Sequence, residues 1–170
     1  MNKRQNKTRK IAFLGLFTAI AMLLSYVEAI SPALITAIPG IKMGLPNVAV
    51  IFVLYRFGAA EAALVSAVRV IVVSLLFGNP MMFIYSIVGA MLSLAVMVIM
   101  KKINFLSVVG VSVAGGVSHN VGQILVAMAL LGTAQVGYYM IALAVSGTIS
   151  GIFIGLCGAL MIKKLPLYKM

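Results

Sequence analysis

The chain has 170 residues, of which 64% are hydrophobic and 9% are charged, and its mean hydropathy is +1.21. A soluble domain of this size needs many polar residues on its surface. The composition therefore excludes a soluble domain and indicates an integral membrane protein. A formal charge of +11 would suggest nucleic-acid binding in a soluble protein, but here the basic residues cluster at the ends of apolar runs, as membrane topology requires.

The N-terminal segment is basic, like the start of a signal peptide, but the apolar run after it is too long for one and lacks a clear cleavage site. We therefore predict a basic cytoplasmic arm over residues 1–10 and a six-helix transmembrane domain over residues 11–170. The predicted spans cover about Ile11–Ala29, Leu45–Arg56, Ala59–Phe77, Met81–Met100, Phe105–Leu131 and Val136–Ile162.

The distribution of Lys and Arg sets the orientation of these spans. With the N-terminus inside, the outer loops carry Lys42 alone, and every other loop cation is cytoplasmic. This predicts an all-α polytopic bundle of six transmembrane helices with both termini inside. The second span, ending at Arg56, is short and crosses completely only if part of the loop before it enters the membrane.

The segment Ile38–Asn47 holds two prolines and two glycines, which predict irregular backbone. Lys42 in this loop could bind an anionic or polar ligand, or could be a surface lysine near lipid headgroups. Asn47, at the head of the second span, and Asn79, in the second outer loop, are further candidate ligand residues.

Arg69 lies near the middle of the third span, where a charge is costly and usually functional. It could bind substrate, or it could form a structural ion pair with one of the two acids, Glu28 and Glu61. Glu28 is the better partner by depth.

His119, Asn120 and Gln123 form the densest polar cluster in any span, with His119 and Gln123 on one helical face. They could line a cavity, which we favour, or hydrogen-bond between helices. Together with Lys42 and Arg69 they predict a cationic cavity suited to phosphate, carboxylate or an electron-rich ring. Tyr138 and Tyr139 are weaker candidates, equally consistent with an interfacial belt.

Small residues recur every four positions in several spans and allow close helix packing in lipid. We interpret two of these stripes as internal packing: Gly110, Ala114, Ser118 and Gly122 in the fifth span, and Gly147, Gly151, Gly155 and Ala159 in the sixth. The pair Gly15 and Ala19 in the first span is open to a partner protein instead.

The sequence holds no phosphate-binding P-loop, no aspartate-rich pair for Mg²⁺-diphosphate, no catalytic triad and no haem-attachment motif. A lone cysteine, Cys157, and a lone histidine do not make a metal site. We therefore predict no catalytic residues, no metal, no cofactor and no enzymatic activity.

At Ile41–Asn47 and Ser118–Gln123 the chain resembles the Gx transporter family, often labelled heptaprenyl diphosphate synthase component I and related to the S components of energy-coupling factor (ECF) transporters. The resemblance implies a multi-pass subunit of a prokaryotic cytoplasmic membrane that captures a small molecule from outside. It would dock through its first helix on a transmembrane coupling protein driven by ATPase subunits. The family's docking pair is usually Ala-x-x-x-Ala, matched here by Gly15 and Ala19.

We therefore expect a substrate-binding subunit for a small anionic or polar-aromatic molecule. The expected contacts are Lys42, Asn47, Arg69, Asn79, His119, Asn120 and Gln123. The alternative is an accessory membrane subunit of an isoprenoid, quinone or flavin-linked electron-transfer system. A cavity lined by Arg69 and His119 would favour the first function, and a solid core with satisfied polar groups the second.

Overall fold

A computed structural model describes residues 3–30, 44–78 and 80–165 of the chain. Every regular element within these ranges is helical, which confirms the predicted all-α class. The helices are α1 (Lys3–Ile30), α2 (Asn47–Arg56), α3 (Ala59–Phe77), α4 (Pro80–Ile103), α5 (Val108–Leu131) and α6 (Tyr139–Lys164), with a short 3₁₀ helix, Ala134–Tyr138, before α6.

Five of these helices, all except α2, are long and apolar enough to cross a membrane, as expected of a polytopic bundle. The exception has ten residues. At 1.5 Å per residue it spans about 15 Å, half of a hydrocarbon core that is roughly 30 Å thick. Within the part of the chain that the structure describes, the second span is therefore a half-crossing.

The basic arm is continuous with the first span, because α1 begins at Lys3. Residues 3–10 contain neither glycine nor proline and are mostly lysine, arginine and glutamine, which favour helix. The change at residue 10 is a change of composition within one helix.

Three residues with special roles separate the helices. Gly58, between α2 and α3, has φ +124°, a backbone conformation that residues other than glycine rarely adopt. Ser107 caps α5, its hydroxyl accepting the Gly110 N–H at 3.2 Å, and Gly132 ends α5 in the left-handed region with φ +62°.

The short helix α2 forms the core of the bundle. It packs against α1, α3 and α6, and residues 49–54 are each no more than 2% exposed. Phe52 stacks on Phe17 of α1, with ring centroids 4.4 Å apart. The longer helices contact one another in the order α1, α3, α4, α5, α6, and α2 packs against both end members of that series.

Glycines bring α5 and α6 into backbone contact. A Cβ added at Gly116 would lie 2.6 Å from the carbonyl oxygen of Gly147, and one at Gly151 would lie 2.6 Å from Cα of Val113. No side chain fits at such distances, so close helix approach requires glycine here. The interpretation of the stripe in the sixth span as internal packing is confirmed.

Two cations cap helix ends where α2, α4 and α6 finish. Arg56 donates to the carbonyl oxygens of Ile162 and Leu165, the latter at 3.1 Å, and Lys101 donates to Leu54 O at 2.7 Å. Free carbonyls at a helix C-terminus carry partial negative charge, so these cations stabilise it.

An ion pair between Lys10 of α1 and Glu61 of α3 lies at the same end of the bundle. We call this the basic end, defined by Lys10, Arg56, Lys101, Lys163 and Lys164. At the far ends of the same two helices, the rings of Tyr26 and Phe77 are 5.0 Å apart, so α1 and α3 run in the same direction. Gathering the basic residues at one end agrees with the predicted cytoplasmic placement of both termini.

Candidate functional site

A cavity of about 170 Å³ lies toward the end of the bundle opposite the basic end. It is bordered by the last turns of α1, the start of α2, the second half of α3, the start of α4 and the middle of α5. Its lining residues are Ser25, Glu28, Gly44, Asn47, Arg69, Val70, Val73, Ser74, Phe77, Gly78, Met82, Ser86 and His119.

Arg69 projects into this cavity from α3. Its Nε atom is buried and has no hydrogen-bond partner among the described residues. A buried donor left unmatched by protein costs about 1–3 kcal/mol, more for a charged group. Arg69 therefore offers a charged donor to whatever occupies the cavity.

Glu28 faces the same cavity from α1, and its negative charge acts on the Arg69 guanidinium. One of its oxygens, Oε1, accepts the backbone N–H of Gly44 at 2.6 Å. Gly44 has φ +68°, where glycine is favoured, and it precedes α2. Glu28 thus ties the end of α1 to the start of α2.

Asn47 is the first residue of α2 and also lines the cavity. Because α2 reaches only about 15 Å from the basic end, its N-terminus lies near mid-depth in the bundle. A half-length helix that begins at a cavity is a recurring arrangement in transporters, where the positive end of the helix dipole faces the bound molecule.

His119 reaches the cavity from α5, beside a glycine of α4. A Cβ added at Gly89 would lie 3.0 Å from His119 Cε1 and 3.2 Å from Nδ1. Gly89 therefore makes room for the imidazole. Gly122, one turn along α5, packs on the backbone of the same glycine, with a Cβ position 3.0 Å from Gly89 Cα.

Asn120 and Gln123 are not among the described residues that line the cavity. Asn120 is turned by one helix position relative to His119 and faces α6, where its amide donates to Leu143 O at 2.6 Å. That contact is the interhelical hydrogen bond that we set against cavity lining for this cluster. A role for either residue in binding stays a prediction.

Two further predicted contacts, Lys42 and Asn79, lie outside the described residues. The structure thus brings Asn47, Arg69 and His119 together from three separate regions of the sequence. Glu28 adds a negative charge to the described lining, and the predicted cationic cavity stays a prediction because Lys42 lies outside the described residues.

Several lining residues were missed by sequence reasoning, although a signal for them exists. Starting at Arg69, the α3 contacts follow helical periodicity: Val70, Val73, Ser74 and Phe77 lie one, four, five and eight positions on. Placing Arg69 in a cavity therefore predicts its neighbours on that face. Ser86 of α4 carries no comparable signal, because a lone serine in a span is common.

Gly15 and Ala19 lie on the outer surface of α1, toward the basic end and away from the cavity. Both are exposed, and a Cβ added at Gly15 would meet nothing within 4 Å. Larger apolar side chains flank them on the same face, including Leu16 at 54% and Leu23 at 65% exposure. The pair therefore forms a shallow notch in an exposed apolar helix face.

Comparison with known proteins gives a family match. The family model described as heptaprenyl diphosphate synthase component I matches residues 17–161, which include all six helices at least in part. No curated protein and no solved structure matches the chain.

Proposed function

The chain belongs to the heptaprenyl diphosphate synthase component I family, and from that premise we propose that it is the substrate-binding S subunit of an ECF-type importer. It captures a small polar molecule from outside the cell and presents it to a coupling protein in the membrane. It has no catalytic role of its own.

One observation carries this proposal: a cavity within an apolar bundle is lined by Arg69, His119 and Asn47. Polar and ionisable groups in a membrane span are costly, and they are retained where they bind a substrate or line a path for it. If Arg69 served only to hold helices together, we would expect its donors to be matched by other helices in a solid core. Its buried Nε has no partner among the described residues, and the void beside it supports binding instead.

The position of the cavity supports import. It lies away from the basic end, which the positive-inside rule assigns to the cytoplasm, so it lies toward the outside. A capture subunit needs its site on that side.

The notch at Gly15 and Ala19 is the proposed docking surface for the coupling protein. Small residues let two helices approach closely in lipid, where burying apolar surface does not favour helix association. Gly116 of α5 and Gly147 and Gly151 of α6 are already used in backbone contacts within the bundle, whereas a Cβ added at Gly15 would meet nothing within 4 Å.

Native mass spectrometry of the purified protein tests capture. We expect a small molecule to co-purify in substoichiometric or stoichiometric amount and to be lost in an Arg69→Gln variant. Absence of any bound small molecule from wild-type protein, together with no uptake by cells that express it with its coupling partners, would refute the proposal.

Docking is tested by filling the notch. Gly15→Leu and Ala19→Leu should fold normally, because both positions are exposed, and should abolish co-purification of the coupling protein while ligand binding persists. Ala95→Leu is the matched control, since Ala95 is an exposed alanine in the half of α4 nearer the basic end. Equal loss with all three variants would mean that the notch has no special role.

The family description favours a second candidate, an accessory subunit of isoprenoid synthesis. In that case the bound molecule would carry a long prenyl chain. The cavity argues for the importer, because a cavity of about 150 Å³ in another protein is filled by one benzene molecule. Recovery of a prenyl lipid from the purified protein would reverse this preference.

A further inference from the structure

We propose that the turn between α4 and α5 binds anionic phospholipid at the basic end of the bundle. In this arrangement the ring of Phe105 inserts beneath the lipid headgroups and Lys102 pairs with their phosphates. The turn comprises residues 104–107 and is called the α4–α5 turn below. The inference needs only the membrane topology, so it does not depend on the proposed import function.

The α4–α5 turn directs two neighbouring apolar side chains in opposite directions. Asn104 follows α4 with φ +55°, in the left-handed region that asparagine tolerates better than most residues. Leu106 packs against the hydrophobic core and lies over the first turn of α5, where a Cβ added at Gly110 would be 3.2 Å from its Cβ. Phe105, between them, is 86% exposed, the highest value among the large hydrophobic side chains that the structure describes.

Phe105 continues the side of α4 that faces lipid. Exposed residues recur at every fourth position along that helix: Met91, Ala95, Ile99 and Ile103. This period keeps them on one helix face, and Ser93 and Met97 on the opposite side are buried. In a span that crosses the membrane, an exposed apolar face contacts hydrocarbon. Its continuation through Ile103 to Phe105 indicates that the bilayer also covers the ring.

The length of α4 places the turn at the depth of the lipid headgroups. With 24 residues at 1.5 Å each, α4 is about 36 Å long, whereas the hydrocarbon core is roughly 30 Å thick. Its last turn carries Lys101 and Lys102 and therefore lies in the headgroup layer. An aromatic ring that comes directly after this layer is close enough to the hydrocarbon to insert into its edge.

The two lysines of that last turn have different surroundings. Lys101 is directed inward, where it donates to Leu54 O at 2.7 Å and lies over the ring of Tyr55. Lys102 is exposed and follows Ile99 by three positions, so it belongs to the lipid-facing side of the helix. One lysine therefore caps a helix of the bundle, and the other faces the surroundings of the protein.

A phospholipid supplies the negative charge that the chain does not place beside Lys102. The sequence has only two acidic side chains: Glu28 lies at the cavity end, and Glu61 pairs with Lys10. A lysine can extend along apolar surface and hold its ammonium at the headgroup phosphates. Each lysine near an anionic membrane surface strengthens binding about fivefold. A lipid thus provides both a phosphate for Lys102 and hydrocarbon for Phe105.

The test uses the absence of tryptophan from the sequence. In the full-length Phe105→Trp variant a single indole reports the surroundings of the turn by its fluorescence, and the exposed position should tolerate the larger ring. The variant is reconstituted in phosphatidylcholine vesicles, with or without phosphatidylglycerol. These lipids are brominated either near the glycerol or near the end of the acyl chain. Phe153→Trp is the deep control, because Phe153 is a 51% exposed ring in the middle of α6.

We expect bromine near the glycerol to quench Phe105→Trp more than bromine near the chain end, and the reverse for Phe153→Trp. At equal mole fraction, brominated phosphatidylglycerol should quench Phe105→Trp as if bound about fivefold more tightly than brominated phosphatidylcholine. Adding Lys102→Gln should bring that ratio close to one. The matched control is Lys7→Gln, which removes an exposed lysine from α1 and should leave the ratio near its original value.

Three results would overturn the proposal. Emission typical of indole in water, without quenching by either lipid, would assign the turn to a partner protein or to solvent. Quenching at the depth of Phe153→Trp would place the ring in the hydrocarbon core, and equal affinity for the two headgroups would exclude recognition of anionic lipid. If Phe105→Trp does not fold, Ile103→Trp replaces it, because Ile103 is 59% exposed on the same face and precedes the turn.

Discussion

The two ends of the bundle use the same residue types in opposite ways. At the basic end, Glu61 pairs with Lys10, and Arg56 donates to carbonyls of the last turn of α6. At the cavity end, Glu28 and Arg69 border a void, and the Nε of Arg69 has no partner among the described residues. Arg56 is matched by carbonyls of the protein, whereas Arg69 keeps an unmatched donor among the described residues, as its proposed role in ligand binding requires.

This difference shows how to separate structural polar groups from binding groups in an apolar protein. A structural cation donates to the carbonyls left free at a helix end, as Arg56 does. Removing it lowers the stability of the fold. A binding cation is held where the protein leaves it incompletely matched, so its removal costs function more than stability. The predictions below test that distinction.

The largest effect is expected from neutralising both charges at the cavity. The double variant Glu28→Gln with Arg69→Gln should lose about 100-fold or more in affinity for the small molecule that co-purifies with wild-type protein, because two charged groups of the lining are removed. Its unfolding temperature without ligand should be unchanged or higher, since burying two charged groups in an apolar bundle is costly and neutral groups of similar size avoid that cost. Thermal unfolding with and without ligand measures both quantities.

The opposite result would make the pair structural. A clear fall in the unfolding temperature of the ligand-free double variant, with affinity retained, would show that Arg69 and Glu28 hold α3 to α1 and do not bind a guest. Charged residues would then have the same structural role at both ends of the bundle.

A smaller effect is expected from closing the space beside His119. In Gly89→Ala the new Cβ would lie 3.0 Å from His119 Cε1 and from its carbonyl oxygen, so α4 and α5 must shift or the imidazole must move. We expect a loss of about 1–3 kcal/mol of stability, typical of overpacking, and a severalfold loss of affinity.

Gly137→Ala is the matched control for that change. Gly137 lies in the 3₁₀ helix before α6, and the nearest atom to an added Cβ is Met128 Sδ at 4.0 Å. The control should therefore change stability by no more than about 0.5 kcal/mol. If both alanine variants behave alike, Gly89 does not shape the site.

Substitutions at the basic end should lower stability and leave the ligand affinity unchanged. Arg56→Gln removes donors to the end of α6, and Lys101→Gln removes both the bond to Leu54 O and a cation–π contact with Tyr55, 4.9 Å from the ring centroid. We expect each variant to lose about 1 kcal/mol in the free energy of unfolding, which is typical of one hydrogen bond or cap. Thermal unfolding measures it, and an affinity change above about twofold in either variant would contradict the separation of the two ends.

Much of the fold could be predicted from the sequence, because span length and the positions of Lys and Arg are local signals. The predicted limits of the third span, Ala59–Phe77, are those of α3. The glycines that recur every four residues in the sixth span lie in close contact with α5. The half-length α2 was also foreseen from the short run that ends at Arg56.

The site could be predicted only in part, because a cavity depends on how distant helices meet. Arg69 stood out as a charge inside a span, and His119 as part of a polar cluster. Sequence spacing could not decide which way that cluster faces, and Asn120, the next residue, turned out to contact α6. Glu28 was recognised only as a possible partner of Arg69, since its place in the lining depends on Gly44 and the start of α2.

The smallest effect is expected from the ion pair of Lys10 and Glu61, which sharpens the comparison from the structural side. The lysine side chain is 39% exposed, so water screens the attraction, and such pairs contribute about 0.2–1 kcal/mol. A double-mutant cycle with Lys10→Gln and Glu61→Gln should give a coupling free energy in that range, and it should decrease at high salt. The same cycle with Glu28→Gln and Arg69→Gln should give a larger coupling in ligand binding than in ligand-free stability. A basic-end cycle that altered ligand affinity, or a cavity cycle that altered only stability, would show that charge at both ends serves the same structural purpose.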